Sequence, residues 1–535
     1  MMAAYPERFG DDVGAALEIR TREGSRTKPL FRFAPGLADS EFLGEGGLGS
    51  SGKGSWLASA RKSYIGWLVR NRVGPDFSDI SFYDADAKLT YDVAPGQSLS
   101  LYALGGHTNV KTTQPTSTDF TGGAGDFYFS RLGWRATIND RLVLNTRTAY
   151  IRQPLVEHYA GAYDSHQDYR EWTAGSDLVW NWTTQHVLEA GWMLRRMEYP
   201  EFFGALQPNG TVTLAYVNPI TLRGTGYLEH SSALFGNKLH LFGGIRYDQS
   251  EHYPDSPVSP QVSAALQMAR ATTLQFGYGH YVQNDFPPNV APTGSCFGDS
   301  QSWRASNHYT ASIERRTGDN LRVRLEAFAR ETTDTIHFRA SQVVCSFFPA
   351  QPELTEPLGH ERSRGLQLML QRRSANRLSG WIGYALIYAR ENSLYYNPVT
   401  LSSSSFTPYY STFEDQRHSL NTFVTYRFKP TLNLSGKLLF GSGFPISSGY
   451  QVVANGSVQL TPVQRQSPYL RVDVRSDKSW SWTRWKMTLY GEVLNLTNHS
   501  NRIVTSFAFL PNGVLQTTTA QALPITPTAG LAFEF

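Results

Sequence analysis

A two-residue periodicity, repeated along almost the whole chain, constrains its fold more than any other feature. In Leu321-Arg-Val-Arg-Leu-Glu-Ala-Phe-Ala-Arg330, residues Leu321, Val323, Leu325, Ala327 and Ala329 fall on one face. Arg322, Arg324, Glu326 and Arg330 fall on the other. Leu366, Leu368 and Leu370 alternate with Gln367 and Gln371, and Val472 and Val474 alternate with Arg471, Asp473 and Arg475. Successive side chains of a β-strand point to opposite faces, so each run is a ribbon with one apolar and one polar side. A soluble sandwich would turn the polar sides to water and pack the apolar sides together. A membrane barrel does the reverse, with hydrocarbon against the apolar side and the charged side lining a wet lumen.

Connection length separates these two architectures. Short turns fall at 138–140, 236–238, 269–271, 318–320, 374–376 and 429–431. Long stretches rich in Gly, Pro, Ser and Asn lie between them, at roughly 153–168, 199–222, 285–301, 340–360, 392–415, 443–466 and 496–526. These far exceed the ~2–5 residues of a hairpin loop. A sandwich has no reason to sort loop length by side, whereas an outer-membrane barrel carries short periplasmic turns and long outside loops. The expected fold is all-β, a transmembrane antiparallel barrel of about 22 strands over residues 28–535. That leaves about 23 residues per strand with its connection, against the ~9–11 that cross a bilayer.

Composition agrees. Of 535 residues only 18% are charged, below the ~25% of soluble domains, and 13% are aromatic. No apolar run approaches the ~20 residues of a membrane helix. The 49 Lys and Arg are scattered against 45 Asp and Glu, for a net charge of +4, so the basic stripe of a nucleic-acid binder is missing. Two cysteines exclude a disulfide-dense scaffold and a Cys-built zinc site. The opening Met1-Met-Ala-Ala-Tyr-Pro-Glu-Arg-Phe-Gly10 has neither a basic n-region nor an apolar h-region, so no export signal is expected in this sequence.

The chain ends Gly530-Leu-Ala-Phe-Glu-Phe535, with Leu531, Phe533 and Phe535 on one face. This resembles the C-terminal aromatic signal by which outer-membrane barrels are recognised for insertion. Upstream lie Gly244-Ile-Arg-Tyr-Asp248 with Ser259-Pro-Gln-Val262, Arg364-Gly-Leu-Gln367 with Trp381-Ile-Gly-Tyr384, and Asp415-Gln-Arg-His418. Tyr469-Leu-Arg-Val-Asp-Val-Arg475 is followed by Leu489-Tyr-Gly-Glu-Val-Leu-Asn-Leu-Thr-Asn498. Weak singly but strong in this order, these segments resemble the barrel of the TonB-dependent outer-membrane transporters over nearly the whole chain. Tyr5-Pro-Glu-Arg-Phe-Gly10 through Ala16-Leu-Glu-Ile-Arg-Thr-Arg-Glu-Gly24 resembles the end of that family's plug domain, and Gly54 to Tyr64 an early barrel strand.

The resemblance implies a plug remnant at 1–27 and a barrel at 28–535, in a chain that begins inside the plug, short of the family's signal peptide and TonB box. It also implies uptake of a scarce ligand (a siderophore, cobalamin, an oligosaccharide or a peptide) across a bacterial outer membrane. The implied partners are outer-membrane lipid, the barrel-assembly machinery and, for a full-length relative, the inner-membrane TonB complex. Arg322, Arg324, Glu326, Arg471, Asp473 and Arg475 are the expected lumen-facing residues. Two rivals stand beside this reading: a plugless passive porin or export channel, and a soluble or surface β-rich carbohydrate-binding protein.

Other motifs carry less. Gly47-Leu-Gly-Ser-Ser-Gly-Lys-Gly54 nearly spells a phosphate-binding loop, but Gly54 stands where the magnesium-binding hydroxyl belongs and no helical pattern follows, which favours a glycine-rich turn. His158, His166, Asp164 and Asp168 share one stretch without any established ligand spacing, so a surface loop is expected there. Cys296 and Cys345 fall in successive long loops, where an oxidising exterior permits a disulfide. Trp134, Tyr150, Trp180, Trp182, Trp192, Trp381 and Trp480 sit near strand ends, as interface girdles require. Tyr395, Tyr396, Tyr409 and Tyr410 suit either a loop surface or a sugar-stacking platform. No nucleophile–base arrangement, cofactor motif or paired catalytic carboxylates occur, so no enzyme activity is expected.

Overall fold

The computed structural model describes residues 8, 10–49, 51–72, 77–112, 120–159, 163–206, 212–250, 257–284, 300–318, 320–338, 354–373, 376–397, 402–446, 450–452, 458–460, 462–509 and 515–535. Twenty-two antiparallel strands run up and down in chain order, from Leu30–Pro35 to Thr526–Glu534, and close into a barrel. At the seam Arg32 faces Glu534 and Phe33 faces Phe533. Phe535 donates its backbone N–H to Phe31 at 2.9 Å and accepts the Phe31 N–H at 3.3 Å.

Both ends of the sheet lie at the rim that carries the short turns, such as 95–96, 140–141, 270–271 and 430–431. The opposite rim carries the long connections, together with the short first one at 36–38. These hold the helix Ile65–Arg72 and accessory hairpins such as Glu201–Leu206 with Val212–Val217 and Arg502–Phe509 with Leu515–Gln521. One expected loop is overturned. Strands Leu142–Tyr159 and Tyr163–Asn181 run through most of 153–168, pairing from Leu142 with Trp180 up to Tyr159 with Tyr163. At 18 and 19 residues, these strands outrun the ~9–11 that span a bilayer, so the barrel wall continues beyond the lipid on the loop side.

Burial is inverted relative to a soluble protein. Among the described residues eight apolar side chains are buried, against twenty-seven polar or charged ones. Val13 and Tyr281 with adjoining Ala16 make the hydrophobic cluster of the described residues. The large apolar side chains stand outside, in register from strand to strand: Ile313 faces Leu325, Leu325 faces Leu368, and Leu368 faces Tyr384. Each of these is 36–46% exposed. Such a continuous apolar exterior is stable only against hydrocarbon.

Trp134, Trp180, Trp182, Trp192 and Trp480 are exposed. Trp381 departs from the girdle expectation. It pairs with Gln371 and Phe423 and lines the interior cavity, because its odd-numbered place on Leu378–Asn397 belongs to the lumenal parity of that strand. Between the paired strands Asp39–Gly47 and Gly54–Ser63, Gly49 and Gly52 take left-handed φ of 70° and 66°, and no helix follows directly.

Candidate functional site

Charged parity positions of many strands converge on the lumen, and the segment before the first strand threads through it. Arg8 donates its backbone N–H to Glu229 at 3.0 Å and its Nη1 to Glu189 at 3.1 Å. Three residues on, Asp11 accepts from Arg195 Nη1 at 2.7 Å and from Arg223 Nη1 at 2.9 Å. Val13 donates its N–H to Gln283 Oε1 at 3.2 Å, and its carbonyl lies 3.0 Å from His308 Nε2. The segment then crosses to the first strands. Lys88 Nζ donates to the Thr21 carbonyl at 2.9 Å, Arg22 pairs with Glu45, and Arg26 pairs with Asp92.

The strongest anchor is the Asp11 cluster. Arg195 also donates to Glu171, at 3.0 Å from Nε and 3.1 Å from Nη2, while Thr173 donates to Glu171 at 2.7 Å. Arg223 is 8% exposed and Glu171 is 7% exposed. Ions this poorly hydrated persist only because charge-assisted bonds replace the lost water. Above the cluster opens a cavity of about 720 Å³. Its wall includes Asp11, Asp126, Gln167, Tyr169, Arg195, Tyr199, Arg223 and Gln283, a mixed donor and acceptor surface.

A second interior cavity of about 1040 Å³ spreads nearer the short-turn rim, along the wall from strand His186–Glu198 to strand His418–Lys429. Arg322, Arg324 and Glu326 line it with Gln275, Gln367 and Trp381. Arg322 donates to Glu314 at 2.6 Å, and Arg324 pairs with Glu326. Arg471 donates to Asp473 at 2.7 Å, and Arg475 donates to Asp477 at 3.0 Å from Nε. The Arg475 guanidinium also lies 4.1 Å from the ring centre of Tyr490. Arg324–Glu326, Arg471–Asp473 and Arg475–Asp477 each join residues two apart on one strand, the parity that directs both charges inward, and Arg322–Glu314 bridges neighbouring strands.

On the loop rim, Asp415 is fully buried among three arginines. It accepts from Arg465 Nη2 at 2.6 Å, Arg417 Nη2 at 2.7 Å and Arg390 Nη1 at 3.2 Å. Arg465 also donates to the Asp415 carbonyl at 2.6 Å, and Ala389 donates its N–H to the carboxylate at 3.2 Å. Burial raises the Asp415 pKa, but the Arg417 and Arg465 bonds outweigh it and hold the carboxyl below the usual carboxylate range. Arg417 is shifted upward; burial works against this, and the bond to Asp415 overcomes it. The guanidinium of Arg417 stands 3.8 Å from the Tyr388 ring centre. The knot ties the loop after Leu378–Asn397 to the loop after Leu432–Gly441.

The remaining expectations are placed as follows. His158 bonds Asp164 at 2.9 Å, while Asp168 is taken by Arg152 and Arg170, so these residues do not gather into a ligand set. Tyr409 lies under the Arg362 guanidinium at 4.5 Å, and the Tyr410 hydroxyl is 3.2 Å from the Ser393 hydroxyl. Cys296, Cys345 and the side chains of Tyr395 and Tyr396 lie outside the described residues. Leu531 pairs with Leu489 and Phe533 with Met487, and Trp485 reaches Phe533 and Phe535 with ring centres 6.2 and 6.5 Å away. Asp11, Glu171, Arg195 and Arg223 were not singled out by sequence. The signal was there, since each of the three barrel residues occupies a polar parity position of an alternating strand.

The family described as TonB dependent receptor-like, beta-barrel matches residues 40–496. No curated protein matches the chain. Among solved structures, BauA, the ferric preacinetobactin receptor from Acinetobacter baumannii, superposes with a TM-score of 0.70 at 11% identity, over 96% of this chain and 80% of that one. FyuA, the ferric yersiniabactin uptake receptor from Yersinia pestis, gives 0.70 at 13% identity, over 96% and 81%. A mutant of PfeA, the ferric enterobactin receptor from Pseudomonas aeruginosa, gives 0.71 at 14% identity, over 100% and 84%. At these identities the likeness is one of fold.

Proposed function

We propose, for a chain that belongs to the TonB-dependent receptor-like β-barrel family, the role of a ligand-uptake receptor barrel whose residues 1–27 are the end of a plug. The observation that carries this is the lumenal segment. It is bonded to opposite sides of the wall, at Glu45 and Asp92 on one side and at Arg195, Arg223 and Gln283 on the other. A porin lumen needs no such cross-brace, whereas a gated receptor needs a plug attached strongly enough to stay and weakly enough to move.

The ligand class with most support is a ferric siderophore, because BauA, FyuA and PfeA share the barrel and are receptors for such compounds. In this reading the ligand is captured at the loop rim and meets the cavity walled by Asp11, Gln167, Tyr169 and Arg223. Arg322, Arg324, Glu326, Arg471, Asp473 and Arg475 line the wet path below. Leu531, Phe533 and Phe535 are the insertion signal read by the barrel-assembly machinery, and in a full-length relative the inner-membrane TonB complex supplies the energy. The test is a panel of ferric catecholate, hydroxamate and mixed siderophores titrated against the folded chain by tryptophan quenching. One panel member is expected to bind with submicromolar affinity; cobalamin or oligosaccharide binding instead would reassign the ligand.

A conducting pore is the second reading, favoured by the cavity of about 1040 Å³ beside Arg322 and Arg324. Planar-bilayer recording separates the two. A receptor is expected to open when the Asp11 anchor is loosened, whereas a passive pore is expected to conduct equally with and without it.

A further inference from the structure

The outer wall carries an arrangement that uptake does not use. His186 opens strand His186–Glu198 directly after the turn 182–185, and His230 lies on the neighbouring strand Ile220–Leu234. The register sets His186 opposite Ser232 and Leu188 opposite His230, so both imidazoles leave the sheet on one face. The adjoining pair, Glu189 with Glu229, points the other way and holds Arg8 in the lumen. The histidines therefore face outward.

Their rings are nearly parallel, 5° apart with centroids 5.4 Å from each other. His186 Nδ1 lies 3.3 Å from His230 Nε2 and 3.2 Å from the Ser232 hydroxyl. Beside them Trp180 and Trp182 stack at 5.9 Å, and Trp182 is 6.4 Å from the His186 ring. Exposed tryptophans at a short-turn rim mark the headgroup level of the inner leaflet.

We propose that His186 and His230 form a two-imidazole site for a borderline divalent cation of the zinc, copper(II) and nickel class. Metal–imidazole bonds are about 2.0–2.1 Å, so nitrogens 3.3 Å apart subtend roughly 104–111° at a shared ion, close to the tetrahedral angle. A nitrogen-only pair selects such ions over magnesium or calcium, which prefer oxygen. To bind through His186 Nδ1 and His230 Nε2, each neutral ring carries its hydrogen on its other nitrogen, Nε2 of His186 and Nδ1 of His230, which leaves both facing lone pairs to the cation. Among the described residues no group of three or more His, Cys, Asp or Glu gathers around an ion. The remaining coordination positions fall to the Ser232 hydroxyl and to water, which makes this an open and exchangeable site.

The test titrates the full chain, folded in detergent micelles, with copper(II) and then with zinc in competition. Copper is expected to quench tryptophan fluorescence and to show an axial resonance split by two nitrogens, with zinc in large excess reversing both. H186Q and H230Q are each expected to weaken binding by about tenfold or more. His240, which lines the interior cavity, serves as control, and H240Q is expected to bind like the parent. The heat-dependent gel shift of each variant verifies that the barrel is intact. Undiminished copper affinity in H186Q or H230Q, or a parent spectrum with a single nitrogen, overturns the assignment.

Discussion

The Asp11 carboxylate lies 2.7 Å from the Arg195 guanidinium, 184 residues away in sequence, and so pins the lumenal segment to the barrel wall. Arg223 completes the clamp from the next strand. Asp11→Asn keeps the shape and removes the charge. It is expected to weaken segment docking by about 1.5–3 kcal/mol, the worth of a hydrogen bond to a charged group. Planar-bilayer recordings of the variant should show more frequent or larger openings than the parent, and trypsin should cut sooner at Arg20 or Arg22.

The outward row through Leu325 gives a direct test of what that surface touches. Leu325→Arg is expected to cost about 2–4 kcal/mol in vesicles, the cost of an arginine on the lipid face near the midplane. Ala385→Arg, on the lumenal parity beside Gln367, should cost far less, because its side chain meets water. Urea titration of the two variants in the same vesicles reads the difference. Equal costs would mean that Leu325 packs against protein.

The Asp415 knot makes a pH-dependent contribution with a definite sign. A carboxyl held below its unfolded value stabilises the fold above the unfolded pKa, and that contribution fades as pH falls through the folded value. The unfolded value is about 3.9, so loop protection is expected to be intact at neutral pH and lost only in stronger acid. Hydrogen exchange at residues 412–417 measures it. Asp415→Asn should expose these amides even at neutral pH and remove the acid dependence.

Tyr490 reaches over Gly530 toward Gly36, and a Cβ on Gly530 would collide with its hydroxyl. Gly530→Ala is therefore expected to destabilise the barrel by about 1–3 kcal/mol, as overpacking does. Its gel-shift temperature should fall. Adding Tyr490→Ser to Gly530→Ala should recover much of the loss, and no recovery would place the cost elsewhere.

Deleting Phe535 is expected to slow insertion in cells severalfold while leaving unassisted folding into vesicles much less affected. The barrel keeps its other seam pairs, such as Phe33 with Phe533. Comparison of membrane-fraction yield with vesicle folding rates measures the difference. An equal loss in both would make Phe535 a structural seam residue only.

How much was visible beforehand follows from where the physics is local. The alternation around Arg322, Arg324 and Glu326 survives in sequence because lipid and lumen impose opposite solvents on neighbouring residues. Beyond the bilayer that contrast disappears, so the strand ends near His158 and Asp164 read as loop while they continue the ladder. Trp381 was misplaced because an aromatic near a strand end looks the same from either face until parity is fixed by a neighbour such as Gln371. The Asp11 clamp, the partners Arg390 and Arg465 around Asp415, and the His186–His230 pair all join residues far apart in sequence. Each becomes visible only when register aligns the strands.

The closing joint between Leu30–Pro35 and Thr526–Glu534 has two register pairs, flanked by the Phe31–Phe535 bonds and a Gly36–Gly530 bridge, against eighteen pairs between Ser300–Thr317 and Leu321–Phe338. Its two halves are also the first and last pieces of barrel to be translated. A sheet that lacks either piece therefore cannot become a ring, and it keeps two raw edges open to pairing with another chain.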